Sequence, residues 1–207
     1  MLSYHILGGT NMKRRKKHNN FKKIFILLPF LMVLLLFTYN NYKKPSNNHR
    51  NLSLQTQLFN YMSSTDNRKK VYYNAIELNK GSSENTCVYF LAEALRQNNI
   101  SIENHICKTS QLINVLEDLG WQKDRDYKNL KPGDVCFSTS GTNNPSSPPS
   151  HTYIFMKWAK EDSYDYAYVV DNQAKDYDNK IYHLRNIASS ASVKGLSKDP
   201  FDFFMHK

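Results

Sequence analysis

The chain has 207 residues, of which 40% are hydrophobic and 22% charged, and it carries a net charge of +10. This length favours one domain with short additions. Seven of the 28 basic residues, and none of the 18 acidic ones, lie in residues 1–39, which leaves 21 basic against 18 acidic residues for positions 40–207. Because the excess positive charge is concentrated near the N-terminus, we expect no nucleic-acid partner.

Residues 24–39, IFILLPFLMVLLLFTY, form an uncharged apolar run. The run is slightly short for a membrane-spanning helix, which usually takes about 17–25 residues, and near the upper length of a secretory signal, about 7–15. The bulky, polar sequence that follows has no small-residue cleavage pattern, so an uncleaved transmembrane signal-anchor is favoured. The basic residues before it place residues 1–23 in the cytoplasm as a basic tail. The C-terminal domain would then be extracellular, and secreted if the signal is cleaved.

The start and the domain boundaries follow from composition. Met12 followed by KRRKK would be an ordinary start for such a signal, so both Met1 and Met12 are candidate starts. Residues 40–51 are polar, Asn-rich and without periodicity, which is typical of a linker. Residues 52–207 are enough for a domain with its own hydrophobic core.

Helical spacing of apolar residues indicates four helices in the first part of this domain. The first two cover about residues 52–62 and 68–78, and a fourth begins near Thr109 or Ser110 and ends at Gly120. The third, over residues 82–98, has Ser82 or Ser83 as its cap. Its apolar stripe consists of Cys87, Phe90, Leu91, Ala94 and Leu95.

Strand signals dominate the second part. LKPGDVCF predicts a turn at Pro132–Gly133 and a strand over residues 135–137, followed by a long loop over residues 138–150. HTYIFMKWA and YDYAYVVDNQA are rich in aromatic and β-branched residues and flank a short polar loop, which indicates a hairpin. Helices followed by strands predict an α+β domain, with N-terminal helices packed on an antiparallel β-sheet.

Three chemical requirements of a catalytic cysteine are met in order along the chain. Cys87 lies near a helix N-terminus, which favours a thiolate. His151 opens a strand and can act as the base. Asp171, Asn172 and Gln173 end the next strand, and an antiparallel hairpin brings its two ends side by side, so one of them can orient the imidazole. Alternation puts Asp171 and Gln173 on one face and Asn172 on the other, and the sequence does not choose between the faces.

At these residues the chain resembles the NlpC-type and CHAP-type papain-like cell-wall hydrolases. The resemblance covers about residues 82–174 and lies in the order of NTCVYFLAEAL, TSQLINVLEDLGW, LKPGDVCF, SHTYIFM and YAYVVDNQA. It implies a papain-like fold with Cys87 as nucleophile and His151 as base. It also implies a third residue within Asp171–Gln173, where Asp171 and Gln173 match the CHAP-like acid followed two places on by an amide. Among these residues we take Asp171 as the first candidate and Asn172 as the next. The residues before Cys87 are Asn85 and Thr86, whereas the family pattern leads one to expect a small residue, as in an Asp-Cys or Ser-Cys pair.

The resemblance implies a membrane-anchored cysteine amidase or peptidase, in which Cys87 attacks peptide amides of peptidoglycan. The alternatives are a catalytically inactive wall-binding or assembly module of the same fold, and a Cys/His acyltransferase on another substrate. Cys87 alone is also explained as a buried structural thiol. The cysteine count permits a Cys107–Cys136 disulfide. No second pair of zinc-like ligands accompanies His105 and Cys107, so we expect neither a metal nor another cofactor.

Overall fold

The computed structural model describes residues 52–140 and 147–207. The predicted basic tail, the apolar segment 24–39 and the linker 40–51 lie outside the described residues, as do residues 141–146 of the predicted long loop. In the part of the chain that is described, no helix combines the length and the apolar content needed to cross a membrane.

Four α-helices form the first part of the domain, as predicted: α1 (Leu54–Ser63), α2 (Thr65–Leu78), α3 (Cys87–Arg96) and α4 (Thr109–Asp118). Serine side chains set the first two starts. Ser53 accepts a hydrogen bond from the Thr56 backbone N–H and Ser64 accepts one from that of Asn67, so each satisfies a donor that the first turn leaves free. Because Ser64 caps α2, this helix begins three residues earlier than the predicted residue 68.

The predicted cap of α3 at Ser82 or Ser83 is wrong, because the helix begins at Cys87 and Thr86 occupies the cap position. Asn85 has a left-handed φ of 55°, which an α-helix cannot include. The Thr86 hydroxyl donates to the Ser83 carbonyl at 2.8 Å and makes no capping bond of its own. Cys87 is therefore the first residue of its helix, closer to the helix N-terminus than the sequence indicates.

Eight β-strands and two 3₁₀ turns follow in the described residues. The strands are β1 (Gln122–Asp124), β2 (Val135–Ser138), β3 (His151–Lys160), β4 (Ser163–Val170), β5 (Tyr182–Asn186), β6 (Ala191–Val193), β7 (Leu196–Lys198) and β8 (Phe201–His206), and the turns are η1 (Tyr127–Asn129) and η2 (Ala174–Tyr177). Six strands form one antiparallel sheet in the order β1-β8-β2-β3-β4-β5, while β6 and β7 form a separate ribbon. The predicted β3–β4 hairpin is present.

The helices cover one face of the six-stranded sheet, which confirms the predicted α+β class. Along β3, Ile154 and Met156 pack with the helices, whereas Tyr153 and Phe155 belong to a smaller core on the opposite face. Helix α3 is central because it packs on both α2 and β3. Apart from Tyr89, all its residues from Val88 to Leu95 are buried.

The turn before β2 requires glycine. Gly133 has a φ of +95°, and a Cβ atom there would lie 1.9 Å from the carbonyl oxygen of Gln55 in α1. The backbone of the Pro132–Gly133 turn therefore touches the backbone of the first helix. Only a residue without a side chain allows this approach.

We predict that Gly133→Ala destabilises the fold by about 2–4 kcal/mol, since it adds a backbone collision to an unfavourable positive φ. Gly195→Ala is the matched control, because Gly195 has a φ of +80° but no atom within 4 Å of its Cβ position. Urea unfolding of both variants measures the difference. Equal losses would mean that the contact with α1 contributes nothing.

Candidate active site

A buried histidine–aspartate pair lies at one end of the β3–β4 hairpin. His151 is the first residue of β3, and Asp171 directly follows the last residue of β4. Because the strands are antiparallel, with Ile154 opposite Val170, the start of β3 lies beside the end of β4. His151 Nε2 is 2.8 Å from Asp171 Oδ2, and both side chains are buried.

The Asp171 carboxylate is ionised and can only accept hydrogen bonds. Burial alone would raise the pKa of its carboxyl group, but the charge of His183, the hydrogen bond from His151 and the charge of Arg185 together hold this pKa well below its usual range. The backbone N–H of Gln173 also donates to Oδ1 at 2.7 Å. Because the carboxylate has no proton to donate, His151 Nε2 carries the hydrogen, and Nδ1 is the nitrogen that can act as a base.

The Cys87 sulfur lies against the start of β3. The backbone N–H groups of Val88 and Thr152 lie close enough to lower the pKa of its thiol. The Thr152 N–H belongs to the peptide group that joins this residue to His151. The packing of α3 on β3 therefore places the thiol beside the backbone that carries the imidazole.

The pKa of the Cys87 thiol is opposite to the expectation from its helix position. Burial raises this pKa to about 11, the backbone N–H groups only partly offset the burial, and the negative charge of Asp171 raises it further. Burial also lowers the pKa of the His151 imidazole, against the hydrogen bond and the charge of Asp171. At neutral pH the pair is therefore a thiol and a neutral imidazole, and the predicted resting thiolate is not favoured.

Asn172 and Gln173 have other contacts than the imidazole. Asn172 Nδ2 donates to the Thr86 hydroxyl at 2.9 Å, which ties the end of β4 to the residue before Cys87. The Gln173 side-chain oxygen accepts a hydrogen bond from Arg185 at 2.9 Å. These contacts follow the expected alternation: the Asn172 side chain lies on the helix side of the sheet, and the Gln173 side chain lies on the opposite side. Of the three candidates, Asp171 is the one bonded to the imidazole.

Sequence reasoning missed three residues of this network. Thr86 links Cys87 to the sheet, while His183 and Arg185 reach Asp171 and Gln173 from β5. A usable signal was present in YHLRN: an aromatic or apolar residue alternates with His and Arg, as in a strand that turns its polar side chains inward.

The other cysteines take no part in this cluster. All three cysteines are free thiols, and the Cys107–Cys136 disulfide that the count permits is not formed, since Cys107 is exposed while Cys136 is buried. Across residues 52–140 and 147–207, no group of three or more His, Cys, Asp or Glu side chains could hold a metal ion.

Three comparisons with known proteins found no relative of this chain. No protein-family model matches the chain, and neither a curated protein nor a solved structure matches it significantly.

We predict that alkylation of Cys87 by iodoacetamide is slow at pH 7 and still accelerates at pH 10, since burial raises the pKa of this thiol to about 11. Mass spectrometry of the cysteine peptides measures the rate at each pH. Exposed Cys107, in the same sample, controls for the intrinsic pH dependence of the reagent. A rate that reaches a plateau below pH 7 would instead indicate a thiolate–imidazolium pair.

Proposed function

We propose that residues 52–207 form a papain-like domain that acts as a cysteine amidase or peptidase on peptide amide bonds of peptidoglycan. The observation that carries this proposal is the buried His151–Asp171 pair, at 2.8 Å, at the start of the strand on which the helix that begins with Cys87 packs. The candidate base is thus bonded to an orienting carboxylate, and the candidate nucleophile comes from the helix packed on the same strand.

The order of the elements supports a papain-like assignment. A helix that begins with the candidate nucleophile packs on the sheet, a Pro-Gly-Asp turn leads into β2, and the candidate base opens β3. These are the segments that resemble the NlpC-type and CHAP-type hydrolases. The peptidoglycan substrate and the outward-facing anchored location rest on that resemblance and on the apolar segment 24–39.

In the proposed first step, the Cys87 sulfur attacks the carbonyl carbon of the substrate amide while His151 Nδ1 takes the thiol proton. Proton transfer during attack suits a thiol whose pKa is raised, because no free thiolate has to exist beforehand. Asp171 accepts the hydrogen bond from Nε2–H and stabilises the imidazolium that forms. In this scheme the neutral pair ionises only as the sulfur–carbon bond forms.

The later steps use the same groups. The first backbone N–H groups of α3 have no acceptor within the helix, so they can stabilise the negative oxygen of the tetrahedral intermediate. His151 then gives its proton to the leaving amine as the carbon–nitrogen bond breaks, which leaves a thioester on Cys87. Water, with His151 again as base, hydrolyses the thioester and restores the thiol.

A second candidate is a wall-binding or assembly module that keeps the fold without turnover. The half-buried position of Cys87 against the apolar core and the raised pKa of its thiol favour this reading, because a structural cysteine has the same properties. The two candidates differ in whether the thiol is needed for anything other than packing. Activity of matched variants separates them.

The test is digestion of purified peptidoglycan by the full chain in mild detergent, with released fragments identified by mass spectrometry. We predict a loss of at least about 10³-fold for Cys87→Ser and for His151→Gln, and about 10²–10⁴-fold for Asp171→Asn, which keeps the shape but not the charge. Cys107→Ser and His105→Gln are the matched controls, since both residues are exposed and lie outside the cluster.

Each outcome decides between the candidates. Loss in the three site variants with full activity in both controls supports the hydrolase. Equal activity in Cys87→Ser and Cys107→Ser would contradict the mechanism. No digestion by the unaltered chain, together with retained binding to insoluble peptidoglycan, would favour the binding module.

A further inference from the structure

One oxygen of Asp171 lies between two histidines. Strand β5 pairs with β4 so that His183 is opposite Val169, two residues before Asp171. His183 is buried, and its Nε2 lies 3.8 Å from Asp171 Oδ2, the same oxygen that is 2.8 Å from His151 Nε2. The carboxylate that orients the proposed base therefore faces a second imidazole from the neighbouring strand.

Both ring nitrogens of His183 face acceptors. Nδ1 is 3.1 Å from the carbonyl oxygen of Lys180, and Nε2 faces the Asp171 carboxylate. A neutral imidazole carries only one N–H, so it can match only one of these acceptors. Consistent with this, Nε2 is buried without a hydrogen-bond partner among the described residues. Only the imidazolium form complements both sides.

His151 has a different requirement. It needs one hydrogen, on Nε2, for its bond to Asp171. Its Nδ1 must be free of hydrogen to accept the thiol proton in the proposed reaction. The two histidines thus prefer different protonation states next to the same carboxylate.

We infer that His183 is a positioning residue that shares the Asp171 carboxylate with His151 and takes the first proton that reaches the pair, so that His151 stays a neutral base. This inference rests on the proposed function, in which Nδ1 of His151 serves as the base. The inference concerns which of the two buried imidazoles, His183 or His151, accepts a proton first.

Side chains from several elements surround His183. The Tyr177 ring of η2 stacks on the imidazole, with the ring centroids 3.6 Å apart. Arg185, two residues further along β5, is buried with neutral oxygens of Gln173 and Asp199 as its hydrogen-bond acceptors.

Two further charges lie on η2 and β7. Lys198 of β7 forms an ion pair with Asp176 of η2. The pKa of His183 lies below its ordinary value, mainly because the ring is buried; Asp171 and the Lys180 carbonyl raise this pKa, and the cations Arg185 and Lys198 lower it further.

Coupling between the two imidazoles follows from their shared counterion. A first proton on the pair is stabilised by Asp171, while a second would add a like charge within the same buried cluster. The pair therefore titrates in two separated steps. While His183 holds the proton, its charge disfavours an imidazolium at His151. The His151 ring therefore stays neutral, and able to accept a proton, down to a lower pH.

The test measures the pKa of each histidine in the full chain, in mild detergent, from the rate of deuterium exchange at the imidazole C2 position, resolved by peptide mass spectrometry. In the unaltered protein, we predict that His183 titrates at higher pH than His151. In His183→Gln, the pKa of His151 should rise by about one unit, because the whole charge of Asp171 then stabilises its imidazolium. His105→Gln is the control and should leave the pKa of His151 unchanged.

A His151 that titrates before His183 in the unaltered protein would overturn the inference, and so would an unchanged His151 pKa in folded His183→Gln. If that variant does not fold, the titration order in the unaltered protein decides. The readout needs neither peptidoglycan nor turnover. A chain that shows the predicted titrations without digesting peptidoglycan therefore contradicts the proposed substrate or activity and leaves the coupling in place.

Discussion

A carboxylate buried at the end of a strand needs donors to replace water, and Asp171 obtains them from two segments. His151 donates from β3 and the Gln173 N–H from the chain just after β4, while His183 of β5 faces the same carboxylate at 3.8 Å. An uncompensated buried charge costs several kcal/mol, so the alignment of β3, β4 and β5 at this end of the sheet depends on these contacts. Polar contacts replace apolar packing here, whereas the middle of the same sheet face is filled by Tyr153 and Phe155.

The environment that buries the Asp171 carboxylate also raises the pKa of the Cys87 thiol. Removing water raises the pKa of this thiol and lowers that of the His151 imidazole, so both groups favour their neutral forms. In the proposed reaction, the proton would therefore leave the thiol as the sulfur attacks the substrate carbonyl, and no thiolate would be needed at rest.

The sequence was informative where the pattern was local. The helices, the α+β class and the β3–β4 hairpin could be predicted from periodicity, and the hairpin alone brought His151 near Asp171. The start of α3 was predicted too early, because helical periodicity does not reveal that Asn85 adopts a left-handed φ of 55°. β5 was missed because its pattern is reversed: Leu184 is exposed while His183 is buried. The raised pKa of Cys87 follows from tertiary burial, which a helix position does not reveal.

Two consecutive residues connect the two halves of the candidate site. Asp171 holds the imidazole of His151, and Asn172 holds the hydroxyl of Thr86, directly before Cys87. Alternation along an extended chain sends these neighbouring side chains to opposite faces of the sheet, one towards the base and one towards the helix that carries the thiol. The relative position of Cys87 and His151 is thus controlled by one short piece of backbone. An amide at position 172 therefore contributes to the geometry of the pair without touching either member of it.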